Sequence, residues 1–292
     1  MSTAPQRERR LLFAASGLYR NKVVTKGRRR RLLVSAGAAV VILSGSALGV
    51  AVWQRGGNPP HEQGCRVVVG TNRYLLDLTQ AENASTIAAV GKHQGLADHA
   101  VTVALATALQ ESQLYNLDHG DRDSLGLFQQ RPSQGWGTPE QLLDTRYSTT
   151  AFYQALVKVD GWEADDVTVA AQSVQHSAAP TAYARWEPEA RALAAALTGE
   201  WPAGFTCRIA SAKGPAPPAK ALTAALDRDL GTPNLGTSLT SPRGWTVATW
   251  LVAHASSFHL GSVSFSGYQW MATSGEWRLS GDPILQVKVG SP

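Results

Sequence analysis

The spacing of apolar residues changes character several times along the chain. Leu32 to Trp53 runs for 22 residues without a charged side chain, long enough to cross a hydrocarbon layer of about 30 Å as a helix. From Cys65 to Cys207 the apolar positions recur mostly at helical spacing, punctuated by caps and stops. Thr79 and Glu82 form a capping-box pair ahead of an Ala-rich run that Gly95 closes. A second helix, Leu96 to Leu114, follows with Val101, Ala104, Leu105 and Ala108 on one stripe. Residues 116–137 are dense in Gly, Asp and Ser and read as a long, turn-rich loop. Thr138-Pro139 then opens a short helix, and Ser148 caps another that runs to Asp160 and stops at Gly161. Asp165-Asp166 begin the next, which Pro180 halts, and Pro188 starts a last one that ends at Gly199. Beyond Pro/Ala-rich residues 211–220 the pattern shifts. An amphipathic helix over Trp245–Phe258 gives way to period-two alternation at Val263/Phe265, Trp270/Ala272, Trp277/Leu279 and Leu285/Val287/Val289, which predicts short strands.

These patterns predict a mainly α domain over residues 65–207 and a small C-terminal α+β module over 221–292. A Pro/Ala linker, 208–220, joins them, and a Gly/Pro/polar spacer, 54–64, follows a single N-terminal transmembrane helix at 32–53. Charge supports that topology. The chain carries a net +5, but ten of its 27 basic groups and one of its 22 acidic groups fall in residues 1–31. The other 261 residues hold 17 basic and 21 acidic groups, a net of −4, so the folded part has no electrostatic case for nucleic acid. Lys/Arg-rich flanks stay cytoplasmic. The expected arrangement is therefore a basic cytoplasmic tail, one pass through the cell membrane, and an exported remainder. A cleaved signal peptide is the alternative, with Ala47-Leu-Gly49 or Ala51-Val-Trp53 near its end. In an oxidising compartment Cys65 and Cys207, at the two ends of the helical block, are expected to bridge; two unconnected buried thiols are the other reading.

One ionisable residue stands out. Glu111 falls on the same helical side as Val101, Ala104 and Ala108, where an unpartnered carboxylate is costly and a carboxylic acid is favoured, the condition a general acid needs. A solvated glutamate near a helix end is the ordinary alternative. Downstream, Asp121 to Trp136 brings aromatics, amides and an arginine into one loop. Phe128, Gln129, Gln130, Arg131 and Trp136 are the kinds of side chain that hold sugars, aromatic faces beside planar hydrogen-bonding groups.

Glu111-Ser112, then Gly126-Leu-Phe-Gln129, then Tyr183 on a late helix resembles the three-part signature of lytic transglycosylases and goose-type lysozymes, in an envelope branch found in actinobacteria. The likeness covers residues 75–200. It implies a lysozyme-like fold and cleavage of peptidoglycan glycan strands without a metal or other cofactor. Glu111 would protonate the leaving oxygen, Ser112 would orient Glu111 or the sugar, and Gly126 to Gln129 would approach the glycan. Tyr183 would hydrogen-bond Glu111, although with Trp186 it also reads as core. The family's last motif is often Tyr-Asn-x-Gly; here the corresponding stretch is Gln172-Ser-Val-Gln175-His176-Ser177, a departure. Asp121 and Asp123 are the candidates for a second carboxylate, and their turn-like neighbours suit local backbone bonding instead. A single acid favours a lytic transglycosylase, which needs one carboxyl, over a hydrolytic muramidase, which normally flanks the bond with two. A non-catalytic peptidoglycan-binding envelope protein is the rival class. No HExxH or comparable metal spacing, phosphate loop or nucleophile elbow is present. The C-terminal module reads as a binding or spacer element.

Overall fold

A computed structural model of the chain describes residues 63–210, 217–231, 235–281 and 283–291. The basic tail and the stretch Leu32–Trp53 expected to span a membrane lie outside the described residues. Among the described residues no helix is long and apolar enough to cross a membrane. The fold is mixed α/β with two small antiparallel sheets. This corrects the expected mainly α lysozyme-like domain with a small separate α+β module.

The first sheet is built from β1 (Gly64–Val69), β2 (Asn72–Leu76) and β3 (Phe205–Arg208), in the order β2-β1-β3. Val69 pairs with Asn72, leaving a two-residue turn in which Gly70 takes a φ of 59°. Glycine adopts that conformation without a Cβ clash, as tight hairpins require. Cys65 and Val67 point inward while Val68 and Val69 stay exposed. Cys65 lies directly opposite Cys207 on β3, and the two form a disulfide across a sequence separation of 142 residues. The helical expectation failed here for a local and a distant reason. Val67–Val69 and Tyr74–Leu76 flank a turn and are strand formers, but β3 joins them from the far end of the block, which no local period reveals.

Between β2 and β3 run α1 (Leu78–His93), α2 (Asp98–Ser112), α3 (Pro139–Leu142), α4 (Thr145–Leu156), α5 (Val167–Gln175) and α6 (Glu187–Leu197), with a 3₁₀ turn at Ala182–Trp186. The capping box of α1 is Asp77/Gln80 rather than Thr79/Glu82: the Asp77 side chain accepts from Gln80 N at 2.8 Å and the Gln80 side chain from Asp77 N at 2.9 Å. Glu82 instead accepts a hydrogen bond from Ser257. Likewise α4 is capped by Asp144, whose Oδ1 accepts from the backbone N–H of Arg146 and Tyr147, while Ser148 is buried within the helix. Thr138 caps α3 with Gln141 in a second capping box.

Helix α2 is the centre of the molecule. Every residue from Ala100 to Leu109 is buried, so it must be covered on all sides, and α1, α4, α5, α6 and the 3₁₀ turn cover it. The C-terminal elements join the same core. They are α7 (Ala219–Leu230), absent from the spacing-based reading, and α8 (Ser241–Ala253), followed by β4 (Ser262–Phe265), β5 (Tyr268–Met271), β6 (Glu276–Leu279) and β7 (Lys288–Gly290) in the order β6-β5-β4-β7. The indoles of Trp270 and Trp277 donate to the carbonyls of Cys207 and Phe205, tying the second sheet to β3. Thr246 on α8 donates to Thr198 O just past α6. All described residues fall within one compact unit, Asn58–Pro292.

His254, which ends α8, is buried against Trp250 with ring centroids 3.9 Å apart. Burial pushes its imidazole down from 6.5 to about 4, so in the folded protein it is neutral near pH 7, and the unfolded chain takes up the proton first as the pH falls. The stability tied to this group is intact above about pH 6.5 and is lost on descending to pH 4 and below, by about 3 kcal/mol at the acid end. Urea midpoints measured from pH 7 to 4 should therefore decline across that window. The decline should be smaller in His254→Phe, which keeps a ring against Trp250 and removes the titrating nitrogen; an unchanged slope would assign the acid sensitivity to other groups.

Candidate active site

Helix α2 ends at an open cleft of about 1090 Å³. Its last turn carries Glu111, half-buried on the cleft wall. Past Ser112 the chain leaves the helix through two consecutive left-handed residues, Gln113 and Leu114, with φ of 52° and 64°. Such conformations cost a non-glycine residue of order 1–3 kcal/mol and persist where the surroundings impose them. Here α1 imposes them. Asn83 Nδ2 donates to Leu114 O at 2.7 Å and Gln80 Nε2 to Gln113 O at 3.0 Å, while Leu114 N–H closes back on Ala108 O at 3.1 Å. The helix therefore stops one turn after the core ends, with Glu111 at its mouth.

Tyr183, on the 3₁₀ turn, donates from Oη to Glu111 Oε1 at 2.7 Å. Its ring is fully buried, and burial, with the Glu111 carboxylate adding to it, pushes the phenol well above its ordinary range, while Ser177 acts in the opposite sense. The proton accordingly stays on Tyr183, which acts as a fixed donor to the carboxyl. The same side chain is thus both core and site. Beside it, Trp186 Nε1 donates to Gln110 Oε1 at 3.0 Å, fixing the turn to the end of α2.

The turn-rich loop is held to the helices through its backbone. Leu125 and Gln130 exchange backbone hydrogen bonds of 2.9 and 3.0 Å, enclosing Gly126 to Gln129. Leu127 O accepts from Ser112 Oγ at 2.7 Å, and Phe128 O from Gln175 Nε2 at 2.8 Å. Gly126, at φ 78°, donates to Leu117 O at 2.7 Å and is pressed against α3: a Cβ there would lie 2.4 Å from Leu142 O. Ser112 Oγ, which also bonds Ala108 O at 3.1 Å, therefore fastens the loop to α2. Phe128 is fully buried and stacks on Phe152 with centroids 4.6 Å apart, so its face is occupied by the core. Gln130 is buried and donates to Ser148 O at 3.2 Å; it and Gln129 still contribute to the cleft lining. Gln129, with a φ of 47°, donates to Gly126 O and His119 O.

The two aspartates separate sharply. Asp123 accepts from Ser133 N–H at 2.8 Å and from Arg131 Nε at 2.7 Å, and Ser133, through its side chain first, together with Arg131 holds the carboxyl well below the usual carboxylate range. It is a clamp for Arg131. Asp121 lines the cleft with its side chain 93% exposed, 3.9 Å from Arg122 Nε. Trp136 also lines the cleft, half-buried, offering an aromatic surface. The lining also includes Lys158, which the sequence reading did not single out, and Gln175, His176 and Ser177 from the stretch that departs from the family's last motif. The signal for the last three was the altered 172–177 segment, whose left-handed His176 (φ 48°) turns the chain out of α5. Among the described residues no group of three His, Cys, Asp or Glu could hold a metal ion.

A carboxyl held by a buried phenol, facing a broad groove of amides, cations and an indole, suits proton transfer to an extended polar ligand. No protein-family model matches the chain, and no curated protein matches it in sequence.

Gly126 tests whether the loop depends on its contact with α3. Gly126→Ala forces a left-handed alanine against Leu142 O and should cost at least about 2 kcal/mol, read from urea or thermal unfolding. A variant as stable as the parent would mean the loop can lift from α3 without penalty.

Proposed function

We propose that the protein cleaves peptidoglycan glycan strands as a lytic transglycosylase, with Glu111 as acid and then base. The observation that carries this reading is the 2.7 Å hydrogen bond from the buried Tyr183 hydroxyl to Glu111 at the wall of the cleft. The substrate comes from the resemblance of Glu111-Ser112, Gly126-Leu-Phe-Gln129 and Tyr183 to the family signature. In the first step Glu111 gives its proton to the glycosidic oxygen as the bond to the anomeric carbon breaks. In the second, the carboxylate removes the proton of the muramic C6 hydroxyl, whose oxygen closes on that carbon to leave a 1,6-anhydro end. Tyr183 keeps its own proton throughout and holds Glu111 in one orientation. Asp123 is committed to Arg131 and Ser133, which leaves Asp121 as the acid beside Glu111 on the cleft lining. The Cys65–Cys207 disulfide supports an oxidising, extracytoplasmic location, where that substrate lies.

Glu111→Gln keeps the shape and hydrogen bonding of the side chain and removes the transferable proton. Turnover on purified peptidoglycan should fall by about 10²–10⁴-fold with folding intact, and Asp121→Asn should change it little. Mass spectrometry of the released fragments should find 1,6-anhydromuramic ends. Reducing ends together with a collapse of activity in Asp121→Asn would make the enzyme a two-carboxylate hydrolase. Full activity in Glu111→Gln would end the assignment.

A further inference from the structure

The first sheet gives one face to the core and leaves the other outside. Its register sets Arg66 between Leu75 and Thr206, Val68 opposite Arg73, and Gly64 opposite Arg208. Residues directly opposite share a face, and so do alternate residues of one strand. All of these therefore lie on the face turned away from the buried Cys65, Val67, Leu76 and Cys207. That face carries three arginines beside two apolar side chains, Leu75 at 66% and Val68 at 39% exposure. The turn at 273–276 lies over its β3 side, where Thr206 Oγ1 donates to Gly275 O at 2.8 Å and Arg208 Nε to Thr273 O at 2.9 Å. A groove of about 400 Å³ at this face is lined by Gln63, Arg66, Arg73, Leu75 and Arg208 among others.

The nearby acids are committed elsewhere or to one arginine alone. Glu276 pairs with Arg66 at 2.5 Å. Asp77, at the rim of the groove, caps α1 and accepts from Tyr115 Oη at 2.5 Å. Arg73 has no side-chain partner among the described residues. Arg208 Nη1 is buried and makes no hydrogen bond among them, a cost that an anionic acceptor would relieve. Two cationic groups thus stand without an anion. The chain also arrives here. Ten residues, Gln54 to Gln63, separate Trp53 from β1, at most about 35 Å of extended chain, and Gln63 itself lines the groove.

We propose that this face docks on the surface of an anionic lipid bilayer, with Arg73 and Arg208 on lipid phosphates and Leu75 and Val68 against the headgroup boundary. An exposed leucine or valine alone calls for no explanation. Beside unpaired arginines, and ten residues after a stretch long enough to cross a membrane, the pair completes an interfacial surface. A neutral bilayer would leave the arginines unanswered, and a dissolved phosphate would leave Leu75 and Val68 in water. A domain on a short tether docks intramolecularly, so a few weak contacts suffice. Docking of this kind holds whatever the Glu111 cleft acts on. It still bears on that cleft, because Asp77 bonds Tyr115, four residues past Glu111, while Gln80 and Asn83 of α1 hold Gln113 and Leu114. A sheet fixed on lipid therefore sets where the end of α2 stands above it.

The test uses the full-length protein reconstituted with vesicles of phosphatidylcholine alone, or of phosphatidylcholine and phosphatidylglycerol in equal parts. Both native cysteines are in the disulfide, so Leu75→Cys places one environment-sensitive fluorophore on the face. In the mixed vesicles its emission should shift to the blue and resist quenching by iodide. Both effects should vanish in about 1 M salt, where charges are screened beyond about 3 Å. Arg73→Gln, on an exposed side chain, should lower the docked-to-free ratio about fivefold, the effect of one arginine beside an anionic surface, and Arg208→Gln should do the same. Lys158→Gln, in the Glu111 cleft, removes an equal charge and should dock like the parent. The same emission and quenching in both kinds of vesicle would overturn the proposal, as would docking undiminished in Arg73→Gln and Arg208→Gln. Equal weakening by Lys158→Gln would reduce the effect to net charge and overturn it too. Protection in phosphatidylcholine alone that rises with protein density would make the face a contact between copies of this chain, which also ends the proposal.

Discussion

A helix buried around its whole circumference has no face to give to water, and α2 imposes that condition on the rest of the molecule. Its ten consecutive buried residues, Ala100 to Leu109, require cover from every direction, and the other helices take their places around it. The burial ends abruptly at Gln110 and Glu111, where the helix reaches the cleft. The acid therefore stands on the most rigid element available, held by a phenol whose own ring belongs to the core. A carboxyl placed this way loses little freedom when it orients, the property that positioned acid–base chemistry needs.

The two sheets and the disulfide address a different difficulty, the closing of a chain whose ends lie far apart in sequence. β1 pairs with β3 over the whole helical block, and Cys65–Cys207 fastens that pairing where the strands face each other. Such a link restricts the unfolded chain most when the enclosed loop is long. The second sheet leans on the first through the Trp270 and Trp277 indoles, so the C-terminal elements share the core of the helices. This shared core also brings Asp229 of α7 and His254 at the end of α8 to the start of α4.

The loop at 116–137 is ordered by its carbonyls more than by its side chains. Ser112 and Gln175 capture consecutive backbone oxygens at Leu127 and Phe128, and Gly126 permits contact with Leu142 that any Cβ would block. Residues with the character of ligand contacts were thereby divided between two tasks. Phe128 went inward to Phe152, Asp123 went to Arg131, and Trp136 and Asp121 remained on the cleft.

The sequence by itself determined the local features. It marked the positions of most helices, the Thr138-Pro139 start, the turn-rich loop, the alternating runs that became β4 to β7, and the acid at the end of an apolar stripe. Each of these depends on neighbours within a few residues, where periodicity and capping chemistry act. Two capping assignments were two and four residues from the observed ones, because Asp77 and Asp144 stand just ahead of Thr79 and Ser148 and take the orphan amides first. What only the tertiary structure decided were the pairings between distant residues. Neither the β1–β3 ladder nor the division of Asp121 from Asp123 has a local period to announce it. The 2.7 Å bond from Tyr183 to Glu111 spans 72 residues; the family likeness implied it, but neither residue's neighbours did. The same holds for Arg146 and Asp229, 83 residues apart in the chain, whose charged groups stand 3.9 Å from each other. The two groups face each other only because α4 and α7 both pack against α1, and no local period brings them together.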